Sequence, residues 1–131
     1  MILDTSFIID LLRGENPEAR KKAEELDHLL ETKAAVSVTV MELWRGAFQS
    51  IRKEHEKEKI ETLLKSLLVY SFDEKGAKKS GEIEADLISE GKIIDLEDIM
   101  IGGVALVKNE AILTKNKKHF QRIKGLNVVS Y

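Results

Sequence analysis

Three acidic residues lie far apart in the sequence, each beside a short apolar segment. Asp4 follows MIL, Glu42 comes shortly after AAVSV, and Asp98 directly precedes IMIGGVALV. Carboxylates that converge within a few ångströms repel one another unless a proton or a cation offsets their charge. Because the chain has no cysteine and no histidine lies near these acids, an all-oxygen set suits Mg²⁺ or Mn²⁺ rather than zinc. A hard cation held by two or three carboxylates is suited to phosphoryl chemistry.

Each acid also has a purely structural explanation. Asp4 is placed to act as the N-cap of a helix, as an Asp that follows a strand often does. Thr39-x-x-Glu42 matches a capping box, with Glu42 at the third helical position. Asp95-x-x-Asp98 matches another capping pattern, in which Asp98 complements the helix dipole. Taken singly, each residue fits either interpretation, whereas the three acids together favour a cation site.

Short apolar segments alternate with longer segments of helical period, a pattern typical of an α/β domain. We predict five strands, at Met1–Leu3, Ala34–Val38, Leu68–Phe72, Ala111–Thr114 and Asn127–Ser130. Strands separated by helices indicate a parallel sheet with helices on both faces. Sites in such sheets form at the carboxyl ends of the strands, and Asp4, Glu42 and Asp98 all map to that edge.

Helical signals follow most of the predicted strands. Ser6–Leu12 forms a short helix ended by Gly14, and Asn16-Pro17 supplies an N-cap with proline at the first helical position. Further helices are predicted from Thr39, around Ile60–Leu67, over Ala77–Ser89 and over Ile99–Val107. Apolar stripes on these helices predict core positions, among them Leu26, Leu29, Leu30, Leu43, Ala47, Ile51, Ile83, Leu87 and Ile88. Trp44 and Phe48 lie one turn apart, which indicates either core packing or a groove or dimer surface.

The composition predicts one globular domain spanning residues 1–131. A hydrophobic fraction of 43% excludes a disordered chain, and the absence of cysteine excludes disulfides and a cysteine nucleophile. The formal net charge of −2 argues against a protein that coats nucleic acid, but it is compatible with a local contact to RNA. Because no segment has the length of a membrane span or the basic start of a secretory signal, we expect a cytoplasmic protein.

Four segments together resemble the PIN-domain family, specifically its VapC-type toxins. These segments are ILDTSFIIDLL, SVTVMELWRGA, EDIMIGGVAL and ILTKNKKHFQRIKGLNV, and they stand in family order over essentially the whole chain. The resemblance implies a three-layer α/β/α fold with a central parallel sheet of about five strands. It also implies a Mg²⁺ or Mn²⁺ site, hydrolysis of RNA phosphodiester bonds, a cognate VapB-type antitoxin and a homodimer.

The resemblance assigns roles to four residues of the expected catalytic site. Asp4 and Asp98 match the acids that bind the metal, directly or through water, and Glu42 matches a third ligand or a water-orienting base. Asp98 is chosen over Asp95 because it directly precedes the Ile-x-Ile-Gly-Gly-x-Ala segment, as the family acid does. Asn116 stands where many relatives carry a fourth acid, so the local negative charge is lower in this chain.

Five residues are candidates for binding substrate: Thr5, Ser6 and Thr114 from the resemblance, and Arg45 and Lys115 from their spacing and charge. The three hydroxyl residues match small side chains that surround the site in relatives. Arg45 lies one turn after Glu42 and either reaches the edge of the site or pairs with Glu42 within the helix. Lys115 begins a basic cluster that either binds the RNA backbone or is a solvated surface; its other members are Lys117, Lys118, His119, Arg122 and Lys124.

Two other functions compete with a ribonuclease. The first is a PIN-like module that binds RNA or a protein partner without cutting, which the retention of all three acids argues against. The second is a phospho-acceptor switch of the receiver type, which needs an acidic pair after the first strand and an acceptor after the third. This chain has a lone Asp4 and Ser71-Phe72-Asp73 at those places, so the receiver interpretation is disfavoured.

Overall fold

The computed structural model describes all 131 residues and contains five strands and seven helices. In chain order these are β1 (Ile2–Leu3), α1 (Thr5–Arg13), α2 (Pro17–His28), β2 (Ala34–Val36), α3 (Ser37–Gln49), α4 (Lys53–Leu64), β3 (Leu68–Tyr70), α5 (Glu74–Ser89), α6 (Leu96–Lys108), β4 (Ile112–Leu113), α7 (Lys117–Phe120) and β5 (Val128–Val129). The five predicted strands are confirmed, each shorter than the sequence suggested, and α7 was not predicted.

All five strands form one parallel sheet in the order β3-β2-β1-β4-β5. Ile2 of the central strand pairs with Ala34 of β2 on one side and with Ile112 of β4 on the other. Because the strands run in the same direction, their carboxyl ends meet at one edge of the sheet. The segments that carry Asp4 and Thr114 leave the sheet at that edge, next to each other.

The helices cover both faces of the sheet and so form the predicted three layers. On one face α5 and α6 pack on Ile2, Val36 and Ile112, with Ile101 and Val104 of α6 fully or almost fully buried. On the other face α1 to α4 pack on the alternate strand residues, a second cluster with members Leu3, Phe7, Ile8, Ala35, Leu43, Ile60 and Leu113. Two apolar cores on a shared sheet hold the strand ends rigidly in place.

Two adjacent glycines allow α6 to lie very close to its neighbours. A side chain at Gly103 would overlap the Ser80 hydroxyl of α5 and come within 3.1 Å of the Gly76 carbonyl oxygen. A side chain at Gly102 would lie 2.6 Å from the Ile123 Cδ1 atom. The pair therefore permits close helix–helix packing, and that packing offsets the low helix propensity of glycine.

The predicted helix ends around the first loop are confirmed. Gly14 ends α1 with a left-handed backbone, φ 68°, and its N–H donates to the Asp10 carbonyl oxygen. Asn16 caps α2, since its side-chain oxygen accepts a hydrogen bond of 3.1 Å from the Ala19 N–H. These two caps fix the turn between α1 and α2.

Some residues of the predicted apolar stripes are exposed rather than buried. Leu29 and Leu30 lie beyond the end of α2, where Leu30 has a positive φ of 53° and the chain turns away from the core. Ile51 lies in the break between α3 and α4, and Ile88 faces solvent on the last turn of α5. The predicted helical period was correct. Each helix, however, either ends before the residue in question or turns it toward solvent.

The start of α3 also differs from the prediction. The strand β2 ends at Val36 and the helix begins at Ser37, so Thr39 is a buried residue of its first turn rather than its N-cap. The predicted strand at 34–38 was too long because Ser37 and Val38 belong to the helix. None of the seven helices combines the length and hydrophobicity that a membrane span requires.

Candidate active site

Asp4 stands at the N-cap position of α1, but its side chain does not cap the helix. Both of its hydrogen bonds come from other side chains: Ser6 Oγ and Thr114 Oγ1 each donate to Asp4 Oδ2 at 2.7 Å. The residue is only 2% exposed, and Oδ1 accepts no hydrogen bond from the protein. The capping explanation for Asp4 is therefore wrong, and one carboxylate oxygen is left for a ligand.

Glu42 is held by a short chain of hydroxyl groups. It is the sixth residue of α3, one turn beyond Thr39, so the capping box predicted for this pair does not form. Thr5 Oγ1 donates to Glu42 Oε1 at 2.7 Å. Because a hydroxyl has one hydrogen, Thr39 must be the donor in the 2.9 Å bond between Thr39 and Thr5. Two threonines from different helices thus orient a carboxylate that has no role in capping.

Asp98 lies in the first turn of α6 and accepts no hydrogen bond from the protein. Asp95 occupies the N-cap position, also without a side-chain cap bond. The helix dipole favours negative charge at this end of α6. A carboxylate that is half-buried, without a protein donor, and placed at a sheet edge is unusual for a purely structural acid.

The acids at this edge act on one another electrostatically. Burial raises the pKa of Asp98 to about 7, and the carboxylates of Asp4, Asp95, Glu42 and Glu97 add to that rise. Burial likewise raises the pKa of Glu42, against the lowering effect of the Thr5 hydrogen bond, and Asp4 and Glu97 raise it further. These shifts mean that the charges of Asp4, Glu42 and Asp98 influence one another; a shared metal site stays a prediction.

No Lys or Arg side chain makes an ion pair with Asp4, Glu42 or Asp98. The charge of Arg45 lowers the pKa of Glu42, but burial and the neighbouring acids outweigh it. The carboxylates are not in mutual contact either. No three acidic or histidine side chains stand close enough to enclose an ion on their own. Glu42 and Asp98 are partly exposed at this edge, whereas Asp4 is almost completely buried.

The residues predicted to bind substrate fall into three groups. Thr5, Ser6 and Thr114 are at the site, where each donates a hydrogen bond to one of its carboxylates. Arg45 is exposed on α3 and lies beyond ion-pair distance of Glu42, but its charge still lowers the pKa of that carboxyl. Lys115 is ion-paired, because its Nζ lies 3.3 Å from each oxygen of Asp10.

Asn116 is positioned at the same edge but through its backbone. Its N–H donates to Thr114 Oγ1 at 2.9 Å, while its exposed side chain makes no hydrogen bond with the protein. The Thr114 hydroxyl therefore links the Asn116 backbone to Asp4. An amide side chain at this position adds oxygen and nitrogen groups to the edge without adding a negative charge.

The basic cluster after β4 is exposed, and Lys115 is its one member with an ion pair. Arg122 instead donates to the Ile93 carbonyl oxygen at 2.6 Å, which ties the loop before α6 to the chain beyond α7. His28, His55 and His119 are exposed and stand apart from the acids, as predicted.

Several residues of this region were missed at the sequence level. Asp10 lies in the same segment as Asp4, DTSFIID, but its partners are distant in sequence: Lys115, Asn16 and Tyr131. Glu97 directly precedes Asp98, and its charge raises the pKa of both Asp98 and Glu42. For Asp10, the available signal was an acid inside an otherwise apolar helix, a position that demands partners when buried.

A groove of about 330 Å³ opens beside Glu42, between α1, α3 and α4. Its lining is mixed and includes the apolar residues Ile9, Leu12 and Leu43 together with Gly46, which has no side chain. Charged groups of both signs line its rim, Arg13, Glu56 and Lys59. The groove has the shape and polarity that suit an extended or helical protein segment.

Trp44 and Phe48 occupy the other side of α3. Their ring centroids lie 6.1 Å apart, and the Lys57 ammonium lies over both rings at 5.7 and 5.6 Å. Trp44 is partly buried against the core of the second face, whereas Phe48 is more than half exposed. Core packing is therefore correct for Trp44 and wrong for Phe48.

Comparisons with known proteins agree with the geometry of this edge. The family model described as the PIN domain matches residues 1–126. Ribonuclease VapC1 from Methanocaldococcus jannaschii is 32% identical over 133 residues, covering 100% of this chain and 86% of that protein. The tRNA(fMet)-specific endonuclease VapC from Shigella flexneri is 31% identical over 126 residues, covering 95% of this chain and 92% of that protein.

Solved structures show the same arrangement of elements. VapBC2 from Rickettsia felis, crystallised with a DNA fragment from its promoter, superposes with a TM-score of 0.91 at 27% identity and covers 99% of this chain and 97% of that chain. DNA-bound VapBC from Salmonella typhimurium superposes with a TM-score of 0.89 at 27% identity, covering 98% of this chain and 96% of that chain. This chain is thus similar along its length to one component of two-protein complexes.

Proposed function

The chain belongs to the PIN domain family, and we propose that it is the ribonuclease toxin of a VapBC-type pair, which hydrolyses RNA with Mg²⁺ or Mn²⁺ at Asp4, Glu42 and Asp98. The relatives that it matches are ribonucleases and endonucleases by name. The observation that supports the site most directly is the set of three acids without an ion pair at one sheet edge, with Asp98 shifted to a pKa of about 7. Acids with a purely structural role would not be left without an ion-pair partner in this way.

The residues present fit a hard divalent cation. Asp98 has no protein donor and Asp4 Oδ1 is free, so two carboxylates have oxygens to offer, and both nitrogen and sulfur donors are absent. Mg²⁺ is typically held by one or two carboxylates and completes its coordination with water and substrate phosphate oxygens. This coordination suits a partly exposed set of acids better than a closed cage of three side chains. When bound, such a cation stabilises charge on the phosphate and makes a nearby water more acidic.

The side chains of the chain itself have separable roles. Asp4 and Asp98 bind the cation, and Ser6 and Thr114 fix the rotamer of Asp4 through their hydrogen bonds. Glu42, oriented by Thr5, is placed to accept a proton from the water that attacks phosphorus. The raised pKa of Glu42 makes it a better proton acceptor than an exposed carboxylate. Attack of water leaves a 5′-phosphate and a 3′-hydroxyl, with no covalent intermediate.

The groove beside Glu42 is the proposed antitoxin site. It is partly apolar in its lining, carries charges at its rim, and opens onto the acidic edge through Glu42. A segment of a VapB-type partner that fills it would cover the acids and inhibit cleavage. The similar solved structures are of VapBC proteins bound to DNA, and the expected homodimer belongs to the same proposal.

A PIN-like module that binds RNA without cutting is the second candidate. It predicts that the acids contribute only to folding or affinity. The absence of ion pairs at Asp4, Glu42 and Asp98 argues against it, because a structural acid left unpaired lowers stability.

The proposal is tested by incubating purified protein with a pool of cellular RNA in Mg²⁺, Mn²⁺ or EDTA and mapping the ends of the products. Asp4→Asn and Asp98→Asn provide the matched variants, and Asp73→Asn, an acid that caps α5 away from the site, is the control. We expect metal-dependent products with 5′-phosphates from the wild type and from Asp73→Asn. Both site variants should be inactive while retaining the circular dichroism spectrum of the wild type.

Equal cutting by the site variants would contradict the assignment of the acids. RNA binding without cutting by folded wild-type protein in either metal would instead support the non-catalytic module.

A further inference from the structure

Asp10 is a buried acid that the catalytic site does not use. It lies on α1 and is 8% exposed. Three side chains from three other parts of the chain donate to it. Asn16 Nδ2 lies 3.1 Å and Tyr131 Oη 2.6 Å from Asp10 Oδ2, and Lys115 Nζ lies 3.3 Å from each carboxylate oxygen.

The charge of Asp10 is well compensated. Burial alone would raise its pKa, but the hydrogen bonds from Tyr131, Lys115 and Asn16 prevail and hold the pKa below its usual value. A buried charged residue is rarely better for stability than a well-packed apolar one. Stability therefore does not explain why position 10 carries a charge. The effect of that charge on Lys115 supplies an explanation.

Lys115 follows Thr114, the residue that donates to Asp4. A lysine side chain is flexible, and an exposed one occupies many rotamers. Here the two contacts with Asp10 restrict it, while 48% of the side chain remains exposed. The ammonium has three N–H donors, and the buried acid beneath it engages only one side of the group. Because the side chain is about half exposed and the residue directly follows Thr114 at the carboxyl edge of the sheet, the ammonium keeps donor capacity for an anion from solvent.

Tyr131 completes the support from the opposite side. Its ring packs edge-on against Phe7, with centroids 4.8 Å apart, and its hydroxyl donates to Asp10. Because Tyr131 also donates to Asp10, the negative charge of the carboxylate is shared between Tyr131 and Lys115. The ammonium is thus fixed in place without being fully neutralised.

We propose that Asp10 and Tyr131 are positioning residues that hold the Lys115 ammonium beside the acidic edge, where it binds an RNA phosphate next to the one that is cleaved. This inference rests on the proposed ribonuclease function and adds a second phosphate subsite to it. Asp10 and Tyr131 act only through Lys115 and do not touch the RNA.

The test measures binding of a labelled, mixed-sequence oligoribonucleotide by fluorescence anisotropy in EDTA, so that cleavage is not needed. Affinity is measured over a range of salt concentrations for wild type, Asp10→Asn, Lys115→Met and the double variant. We expect Lys115→Met to weaken binding and to lower the slope of log affinity against log salt by about 1, the effect of losing one phosphate contact. Asp10→Asn should weaken binding several-fold when Lys115 is present and have no effect in the Lys115→Met background.

Lys118→Met is the matched control, because Lys118 belongs to the same cluster and makes no ion pair. Its effect on affinity should add to that of Asp10→Asn. Tyr131→Phe keeps the contact with Phe7 and removes only the hydroxyl, so it gives the same test if Asp10→Asn proves too unstable.

Additive losses in the Asp10→Asn/Lys115→Met pair, or an unchanged salt slope for Lys115→Met, would overturn the proposal. These outcomes are independent of whether the protein cleaves RNA. In cleavage assays the same variants should raise KM and leave kcat nearly unchanged, because the contact is made equally in the ground state and the transition state.

Discussion

Thr114 donates a hydrogen bond of 2.7 Å to Asp4, across 110 positions of sequence. The bond joins the end of β4 to the start of α1 at the carboxyl edge of the sheet. It fixes which oxygen of Asp4 faces the protein and which faces the open side of the site. The donors that orient Asp4 at this edge are therefore uncharged hydroxyl groups, which do not neutralise the carboxylate.

Thr114→Val removes this hydroxyl while keeping the shape of the side chain. Asp4 loses one of its two donors and the Asn116 N–H loses its acceptor. We expect RNA cleavage to fall about 10- to 100-fold, the effect typical of losing a residue that orients a metal ligand. We also expect the free energy of unfolding to fall by about 1–3 kcal/mol, because a buried polar group is left unpaired.

The measurements are single-turnover cleavage and urea unfolding. Thr62→Val, on the exposed face of α4, is the control and should change neither quantity. Unchanged cleavage by Thr114→Val would show that Asp4 does not depend on its hydroxyl donors.

The raised pKa of Asp98 makes the metal-free protein less stable as pH rises. Its pKa is about 7 in the folded protein and 3.8 is its ordinary value. Between these values the folded state binds more protons than the unfolded state, so stability falls as pH rises through this window. Asp98→Asn removes this dependence and should raise the melting temperature in EDTA above about pH 7.

The check is thermal unfolding in EDTA at several pH values. Asp10→Asn gives the opposite expectation, because the pKa of Asp10 is lowered in the folded protein and the variant should be less stable than the wild type at neutral pH. A lower melting temperature for Asp98→Asn at high pH would mean that Asp98 has a stabilising partner instead of repelling neighbours.

Gly103→Ala should destabilise the protein by forcing α5 and α6 apart. The added methyl group would overlap the Ser80 hydroxyl and lie 3.1 Å from the Gly76 carbonyl oxygen. We expect a loss of about 1–3 kcal/mol, as is usual for overpacking. Ser80→Ala in the same chain removes the closest of the three contacts, that with the Ser80 hydroxyl, and should restore part of that loss.

Gly81→Ala is the matched control for denaturant unfolding. Gly81 lies on α5 with open space where its side chain would be, so alanine should raise stability by up to about 1 kcal/mol. Equal effects at positions 81 and 103 would contradict the close approach of the two helices.

The order of strands and helices could be predicted from the sequence because apolar periodicity is strong in this chain. The predicted strand at 34–38 and the helix start at Thr39 were wrong by two residues, since an apolar sequence does not distinguish the last strand residue from the first buried helix residue. Exposure of Leu30 and Ile51 was missed because it depends on where the chain turns.

The acids of the candidate site could be selected from their places beside predicted strands and from the family resemblance. Their hydrogen bonds could not, because Thr114 and Asp4, or Asp10 and Tyr131, are brought together only by the sheet order β1-β4-β5. The ion pair of Lys115 with Asp10 could not be predicted either, because it links a residue after β4 with one on α1.

Titration calorimetry with Mn²⁺ measures whether the carboxylate edge binds a divalent cation. We expect the wild type to bind Mn²⁺ and to release protons near pH 6, because Asp98, with a pKa of about 7 in the metal-free protein, must lose its proton to act as a ligand. The release should decline toward zero near pH 8.5, and Asp98→Asn should show neither Mn²⁺ binding nor proton release. Binding of equal strength by the wild type and Asp98→Asn, or no binding by the folded wild type, would contradict a cation site at this edge.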